Sequence, residues 1–173
     1  MSISQIKSLK IKAEKIFILY VEDEIKIQES IATFLRKIFP HVDIASNGEE
    51  GLEKYLTNSY DIVITDILMP KMNGLELIRH IREKNKKQEI IVISANTDSD
   101  NLTQAIQLEV TGYIIKPMNL EQTLSVLEQS VDKLTAFRDN EMYKTQLESM
   151  VEDRTKTVLQ LQNQLVENYK HAI

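Results

Sequence analysis

Short apolar runs alternate with stretches of helical periodicity before about residue 135. The runs are rich in β-branched residues, and three are almost continuously apolar, as expected for parallel strands covered on both faces. The five runs are 16–21, 42–45, 61–65, 89–93 and 112–115. Between them, apolar residues recur at helical spacing, for example at Ile27, Ile31, Phe34, Leu35 and Ile38. Five strands alternating with five helices predict an α/β fold with a doubly wound parallel sheet.

Turn-forming residues divide the chain into parts. All four glycines and all three prolines lie between positions 40 and 117, and residues 118–173 contain neither. A globular α/β region needs turns, whereas Gly and Pro destabilise a long helix. We therefore predict an N-terminal leader at 1–14, a compact domain at 15–135 and a helical extension at 136–173.

The extension carries apolar residues at heptad spacing. They are Leu147, Val151, Val158, Leu161 and Leu165, and Arg154 occupies one position of the same seam. This series is out of phase by one residue with the series from Leu120 to Leu134, which predicts a kink, a stutter or a change of partner within 135–146. The heptads indicate a parallel homodimer through a coiled coil, with a lone solvated helix as the alternative.

Composition excludes several classes of protein. Hydrophobic residues make up 42% of the 173 positions and charged residues 27%, which is typical of a globular protein rather than a disordered one. Twenty-one Lys and Arg stand against 26 Asp and Glu, a net charge of −5, so we expect no direct nucleic-acid partner. The apolar runs are too short to span a membrane, and cysteine is absent, so no disulfide or thiolate site can form. We expect a cytoplasmic protein without membrane contact.

Polar residues with complementary chemistry follow four of the five predicted strands. Glu22 and Asp23 follow the first strand, Asp66 the third, Ser94 the fourth and Lys116 the fifth. If the first and third strands are neighbours, the three carboxylates converge and need a cation, and oxygen ligands alone favour Mg²⁺. Carboxylates, Mg²⁺, a hydroxyl and a lysine are what a phosphoryl group on a carboxylate oxygen requires. Asp66 is the predicted nucleophile.

Residues 14–135 resemble the receiver domain of two-component response regulators, such as the chemotaxis response regulators. The resemblance rests on four segments, each at a strand end: Val21-Glu22-Asp23-Glu24, Asp66 with Met69-Pro70 and Gly74, Ser94-Ala95, and Lys116-Pro117. It implies a flavodoxin-like strand order, 2-1-3-4-5. It also implies a phosphoacceptor rather than an enzyme, with at most autocatalytic phosphotransfer and autodephosphorylation.

The resemblance implies roles for the acidic residues. Asp66 resembles the phosphoacceptor, and Glu22 and Asp23 look like the acidic pair that holds Mg²⁺ together with Asp66. The backbone carbonyl of Leu68 would complete the protein ligands. For Asp23, a helix N-cap is the alternative role.

The remaining roles concern the last two strands. Ser94 resembles the switch hydroxyl, and Lys116 resembles the lysine that pairs with the phosphoryl group. Tyr113 looks like the aromatic rotamer switch, and an ordinary core aromatic is its alternative role. The Lys116-Pro117 bond is expected to be cis, as is usual in this family.

The expected partner is a sensor histidine kinase or a phosphotransfer protein. Phosphorylation would alter the surface of the fourth predicted helix, the fifth strand and the fifth predicted helix, and so control an output domain. Residues 147–155 resemble signalling linkers, and residues 167–173 are similar to the entry into cyclic-di-GMP output modules. One alternative function is a dimerising binding module that works without phosphorylation. A Mg²⁺-dependent phosphohydrolase ranks last, because the chain has no insertion able to form a substrate lid.

Overall fold

The structure, a computed structural model, describes the backbone of residues 3–95 and 99–171. Its strands are β1 (Phe17–Val21), β2 (His41–Ala45), β3 (Ile62–Thr65), β4 (Glu89–Ser94) and β5 (Gly112–Ile115). Its helices are α1 (Ile3–Ala13), α2 (Ile25–Arg36), α3 (Gly48–Thr57), α4 (Gly74–Lys84), α5 (Ser99–Gln107) and α6 (Leu120–His171). Ala172 and Ile173, in the segment similar to cyclic-di-GMP output proteins, lie outside the described residues.

The five strands form one parallel sheet in the order β2-β1-β3-β4-β5, which confirms the predicted topology. β3 is the central strand, and all four of its residues are buried. A strand that is covered on both faces is expected to be almost continuously apolar. The sequence of β3, Ile-Val-Ile-Thr, fits this expectation. Val21 pairs with both Ala45 and Thr65, so β1, β2 and β3 end at one edge of the sheet.

Two apolar clusters cover the faces of the sheet. Successive residues of a strand point to opposite faces, so Ile18 and Tyr20 belong to one cluster and Leu19 and Val21 to the other. The first cluster also contains Leu127 of α6. All five residues are almost completely buried. The alternation matters for the site, because Glu22 continues the face of Ile18 and Tyr20.

The N-terminal segment, predicted as a leader, is helical from Ile3 to Ala13. Leu9 and Ala13 of α1 are buried in the first apolar cluster, with Ile6 packed against it. Lys12 forms an ion pair of 2.6 Å with Asp132 of α6. The helix therefore contributes to the core, and the domain contains one helix before β1.

Helix starts close to the sheet edge use asparagine caps. The Asn47 side chain accepts a hydrogen bond from the Glu50 amide at the start of α3. Asn73 does the same for Glu76 at the start of α4, where the Glu76 side chain accepts from the Asn73 amide in return. These caps satisfy amide donors that the helix itself leaves without acceptors.

α5 packs weakly and α6 is long. Ala105 is the one buried residue of α5, while Leu102 and Ile106 are exposed. α6 is a helix of 52 residues that includes 135–146, and its side chains are exposed from Ala136 to Lys170.

The chain divides into two compact units, Met1–Leu134 and Thr135–Ile173. Within the described residues, no helix combines the length and apolarity that crossing a membrane requires.

Candidate functional site

Two buried carboxylates lie side by side at the carboxyl edge of the sheet. Glu22 follows β1 and is 1% exposed, and Asp66 follows β3 and is 7% exposed. Sheet pairing holds them in place, since the Asp66 amide donates to the Val21 carbonyl and the Glu22 amide to the Ala45 carbonyl, both at 3.0 Å. Two carboxylates so close require positive charge between them or must take up a proton.

Lys116 supplies that positive charge. Its Nζ lies 2.6 Å from Oε2 of Glu22 and 2.7 Å from Oδ2 of Asp66, and its side chain is 13% exposed. The lysine follows β5, and its own amide donates to the Ser94 carbonyl at the end of β4. The ends of β1, β3, β4 and β5 therefore meet in one site, as the sequence predicts.

Burial and neighbouring charges shift the pKa values of Glu22 and Lys116. Burial raises the pKa of Glu22, and the hydrogen bond and charge of Lys116 oppose this only in part. Burial lowers the pKa of Lys116, but the hydrogen bonds and charges of Asp66 and Glu22 together outweigh it, so that pKa is raised. The ammonium is thus held charged between two carboxylates.

The backbone around Asp66 fixes its carboxylate. Oδ1 accepts hydrogen bonds from the Ile67 amide at 2.5 Å and from the Leu68 amide at 3.4 Å. The Gly74 amide donates to the Ile67 carbonyl at 2.9 Å, which folds the loop back onto the strand end. A Cβ at position 74 would lie 1.9 Å from the Asp66 carbonyl oxygen, so the loop closes this tightly only with glycine.

Ser94 and Tyr113 lie next to these charged residues. Ser94 is 1% exposed at the end of β4, and Tyr113 of β5 is half-buried. Burial raises the pKa of Tyr113, a hydrogen bond with Ser94 opposes the shift, and the charge of Asp66 adds to it. The Tyr113 side chain is thus close enough to Ser94 and Asp66 to interact with both. The Lys116-Pro117 bond is cis, as the resemblance implies.

Asp23 and Leu68 are the remaining predicted metal ligands. Asp23 is half-buried beside Glu22, and the Leu68 side chain is exposed. The N-cap of α2 is Glu24, not Asp23. Among the described residues, no group of three His, Cys, Asp or Glu is close enough to hold a metal ion. The Mg²⁺ site therefore stays a prediction.

The donor chemistry of the site fits Mg²⁺. Glu22 and Asp66 offer only oxygen ligands, which a hard divalent cation prefers. The Lys116 ammonium between them marks a position that requires positive charge. The two carboxylates carry one more formal negative charge than the single ammonium between them compensates.

Two residues that the motifs do not include also hold the site. Gln28 of α2 donates through its side-chain amide to the carbonyls of Glu22 at 2.7 Å and of Ala45 at 2.9 Å. The Tyr20 hydroxyl donates to Oε2 of Glu22 at 3.2 Å. Tyr20 precedes Glu22 by two positions on one strand face, so strand periodicity could have identified it.

The amino-acid sequence matches one protein family and is similar to a known response regulator. Residues 18–128 match the family described as "Response regulator receiver domain". The chain is 32% identical over 169 residues to response regulator ArlR of Staphylococcus saprophyticus, covering 90% of this chain and 74% of the relative.

Two solved structures extend the similarity to the fold. A response regulator receiver domain protein from Clostridium thermocellum aligns with a TM-score of 0.65 at 27% identity, over 70% of this chain and 98% of that one. Response regulator TrrA of Thermotoga maritima, solved in complex with Mg²⁺-BeF, aligns with a TM-score of 0.58 at 35% identity. That alignment covers 68% of this chain and 96% of TrrA.

Proposed function

Because the chain belongs to the receiver domain family of two-component response regulators, we propose that Asp66 accepts a phosphoryl group from a histidine kinase or a phosphotransfer protein. The observation that carries this proposal is the Lys116 ammonium within 2.7 Å of both buried carboxylates. A cation already held beside Asp66 can neutralise oxygens that arrive there without a new charge having to be buried. An alternative binding module that works without phosphorylation has no need for two buried carboxylates at this edge of the sheet.

In the proposed reaction, an oxygen of Asp66 donates an electron pair to phosphorus. The new O–P bond forms as the P–N bond to the donor histidine breaks, and the imidazole nitrogen keeps the electron pair of that bond. Lys116 turns from the carboxylate to the phosphoryl oxygens, and the Ser94 hydroxyl donates a hydrogen bond to them. Glu22, Asp23, Asp66 and the Leu68 carbonyl would hold Mg²⁺, which neutralises phosphoryl charge when bound.

We propose that the response spreads through the fourth and fifth strands. In the present numbering the responsive surface consists of α5, β5 and α6, because α1 precedes β1. Ser94 interacts with both the site and Tyr113. A Ser94 hydroxyl that turns to the phosphoryl group gives up its Tyr113 partner, and this biases the tyrosine and the weakly packed α5 toward a second arrangement.

Intact mass after incubation with acetyl phosphate tests the proposal. We expect one phosphoryl adduct in the presence of Mg²⁺, none with EDTA and none in Asp66→Asn, because the amide is not a nucleophile. Asp43→Asn is the matched control. Asp43 accepts a hydrogen bond from Tyr60 and takes no part in the site, so this variant should form the adduct. A folded parent protein without an adduct, or an adduct on Asp66→Asn, would overturn the assignment.

We also propose that the Thr135–Ile173 unit forms a parallel homodimer. The apolar residues of its seam are 54–64% exposed in the single chain. β-branched Val151 and Val158 alternate with Leu147 and Leu161, a pattern that favours a two-stranded coiled coil.

Leu161→Lys should weaken the dimer at least about tenfold, since it buries a charge in the seam. Leu159→Lys, off the seam and equally exposed, is the matched control. Sedimentation equilibrium over a concentration series measures both, and equal effects would contradict a seam at Leu161.

A cyclic-di-GMP output domain rests on the resemblance of residues 167–173 alone, and stays a prediction. The dimer and the phosphoacceptor site do not depend on it.

A further inference from the structure

Tyr20 is a polar residue in an apolar part of the core. It lies on β1 with no exposed surface, in the same cluster as Ile18 and Leu35. Its hydroxyl donates a hydrogen bond of 3.2 Å to Oε2 of Glu22. A buried phenol without a partner would lower stability, and Phe would fill the same space without that risk. The hydroxyl therefore needs an explanation beyond packing.

The two carboxylate oxygens of Glu22 have different hydrogen-bond donors. Oε2 accepts both from Tyr20 and from Lys116, at 3.2 and 2.6 Å. Among the residues that the structure describes, Oε1 has only a long contact of 3.4 Å from the Glu24 amide. Both side-chain donors thus hold one oxygen and leave the other for a further partner. A glutamate side chain has three rotatable bonds, so this division needs fixed donors.

We propose that Tyr20 is a positioning residue that orients the Glu22 carboxylate, so that Oε1 is kept for Mg²⁺. This inference rests on the proposed function and deepens it. Lys116 leaves Oε2 when it turns to the phosphoryl oxygens. The Tyr20 hydroxyl is then the donor that stays on Oε2, so Glu22 keeps its orientation in both states.

The matched control is a second tyrosine that donates to a carboxylate. Tyr60 is 8% exposed, and its hydroxyl lies 2.7 Å from Oδ2 of Asp43. Tyr60→Phe and Tyr20→Phe each remove one phenol hydroxyl from a carboxylate and keep the ring that fills the core. Neither is expected to unfold the chain, and urea unfolding in EDTA checks that both are folded.

Calorimetric titration with Mg²⁺ then separates the two tyrosines. We expect Tyr20→Phe to raise the Mg²⁺ dissociation constant about tenfold, the size of a lost hydrogen bond to a charged group. Tyr60→Phe should leave it within about twofold. In a Glu22→Gln background, Tyr20→Phe should also change it less than about twofold, because the carboxylate through which Tyr20 acts is gone.

The outcomes distinguish this inference from the proposed function. A parent protein that binds Mg²⁺ and forms the adduct, with an unchanged constant in Tyr20→Phe, overturns the role of Tyr20 alone. An equal loss in Tyr60→Phe, or a full loss in the Glu22→Gln background, also overturns it, since the effect would then not pass through Glu22. A parent protein with neither Mg²⁺ binding nor an adduct overturns both.

Discussion

Lys116→Met is expected to lower the free energy of unfolding by about 3–5 kcal/mol at pH 7 in EDTA. The variant keeps two buried carboxylates, Glu22 and Asp66, and removes the ammonium that lies 2.6 and 2.7 Å from them. Removing one partner of a buried ion pair costs more than the pair itself contributes, because the remaining charge stays buried without compensation. Urea unfolding followed by circular dichroism measures the loss.

The loss should depend on pH in a defined direction. Burial already raises the pKa of Glu22 above its ordinary 4.5, and the variant lacks the lysine that opposes this shift. A carboxyl group with a raised folded-state pKa stabilises the fold below its unfolded pKa, and this stabilisation is lost as pH rises through the folded pKa. The difference between variant and parent should therefore be small below pH 4.5 and grow as pH rises through the folded-state pKa of Glu22.

Two comparisons test the cause of this loss. Lys12→Met removes a lysine from the exposed Lys12–Asp132 pair, and should cost about 1 kcal/mol or less. Mg²⁺ should restore more stability to Lys116→Met than to the parent, because a second cation can replace the ammonium. A loss in Lys116→Met that is independent of pH would show that the lysine acts through packing of its stem and not through its charge.

Gly74→Ala is expected to destabilise the fold by about 3 kcal/mol and to prevent phosphorylation of Asp66. The added Cβ would lie 1.9 Å from the Asp66 carbonyl oxygen and 2.9 Å from its carbonyl carbon. Both are backbone atoms of the proposed phosphoacceptor, so relief requires moving the end of β3 or the start of α4. The φ angle of Gly74 is not left-handed, so space and not backbone conformation requires glycine there.

Gly51→Ala in α3 is the matched control. Its Cβ would meet methyl groups of Val21 and Leu77 at 3.0–3.3 Å, which are side-chain atoms able to shift. Alanine in a helix interior gains about 0.5–1 kcal/mol over glycine, which offsets the crowding. Chemical denaturation and intact mass after acetyl phosphate treatment measure both variants. Equal stability and equal adduct formation in the two variants would contradict the close approach at Gly74.

Local sequence patterns were sufficient to predict the strands of the sheet, and the resemblance to receiver domains implied their order. The β-branched runs give β1 to β5 within about one residue, and the runs of β1, β3 and β4 are almost continuously apolar because these strands are covered on both faces. The meeting of Glu22, Asp66 and Lys116 followed from the same pattern, since the carboxyl ends of parallel strands share one edge.

Two features depend on distant parts of the chain and could not be predicted locally. In α1, lysines surround Leu9 and Ala13, and the apolar surface that buries them is supplied by residues far away in sequence, including those of α6. The motif assigns Lys116 to an arriving phosphoryl group, and gives no indication that it lies between Glu22 and Asp66 beforehand. That position follows from the mutual repulsion of two buried carboxylates.

The weak packing of α5 has a consequence for mechanical compliance. Displacing a helix that buries only Ala105 exposes little apolar area, so α5 can shift at a small fraction of the free energy of unfolding. Asp66, by contrast, follows β3, the central strand, which cannot move without breaking its pairing to both β1 and β4. The fold thus joins a stiff support for the charge-bearing residue to a soft neighbouring helix, and deformation concentrates in the helix.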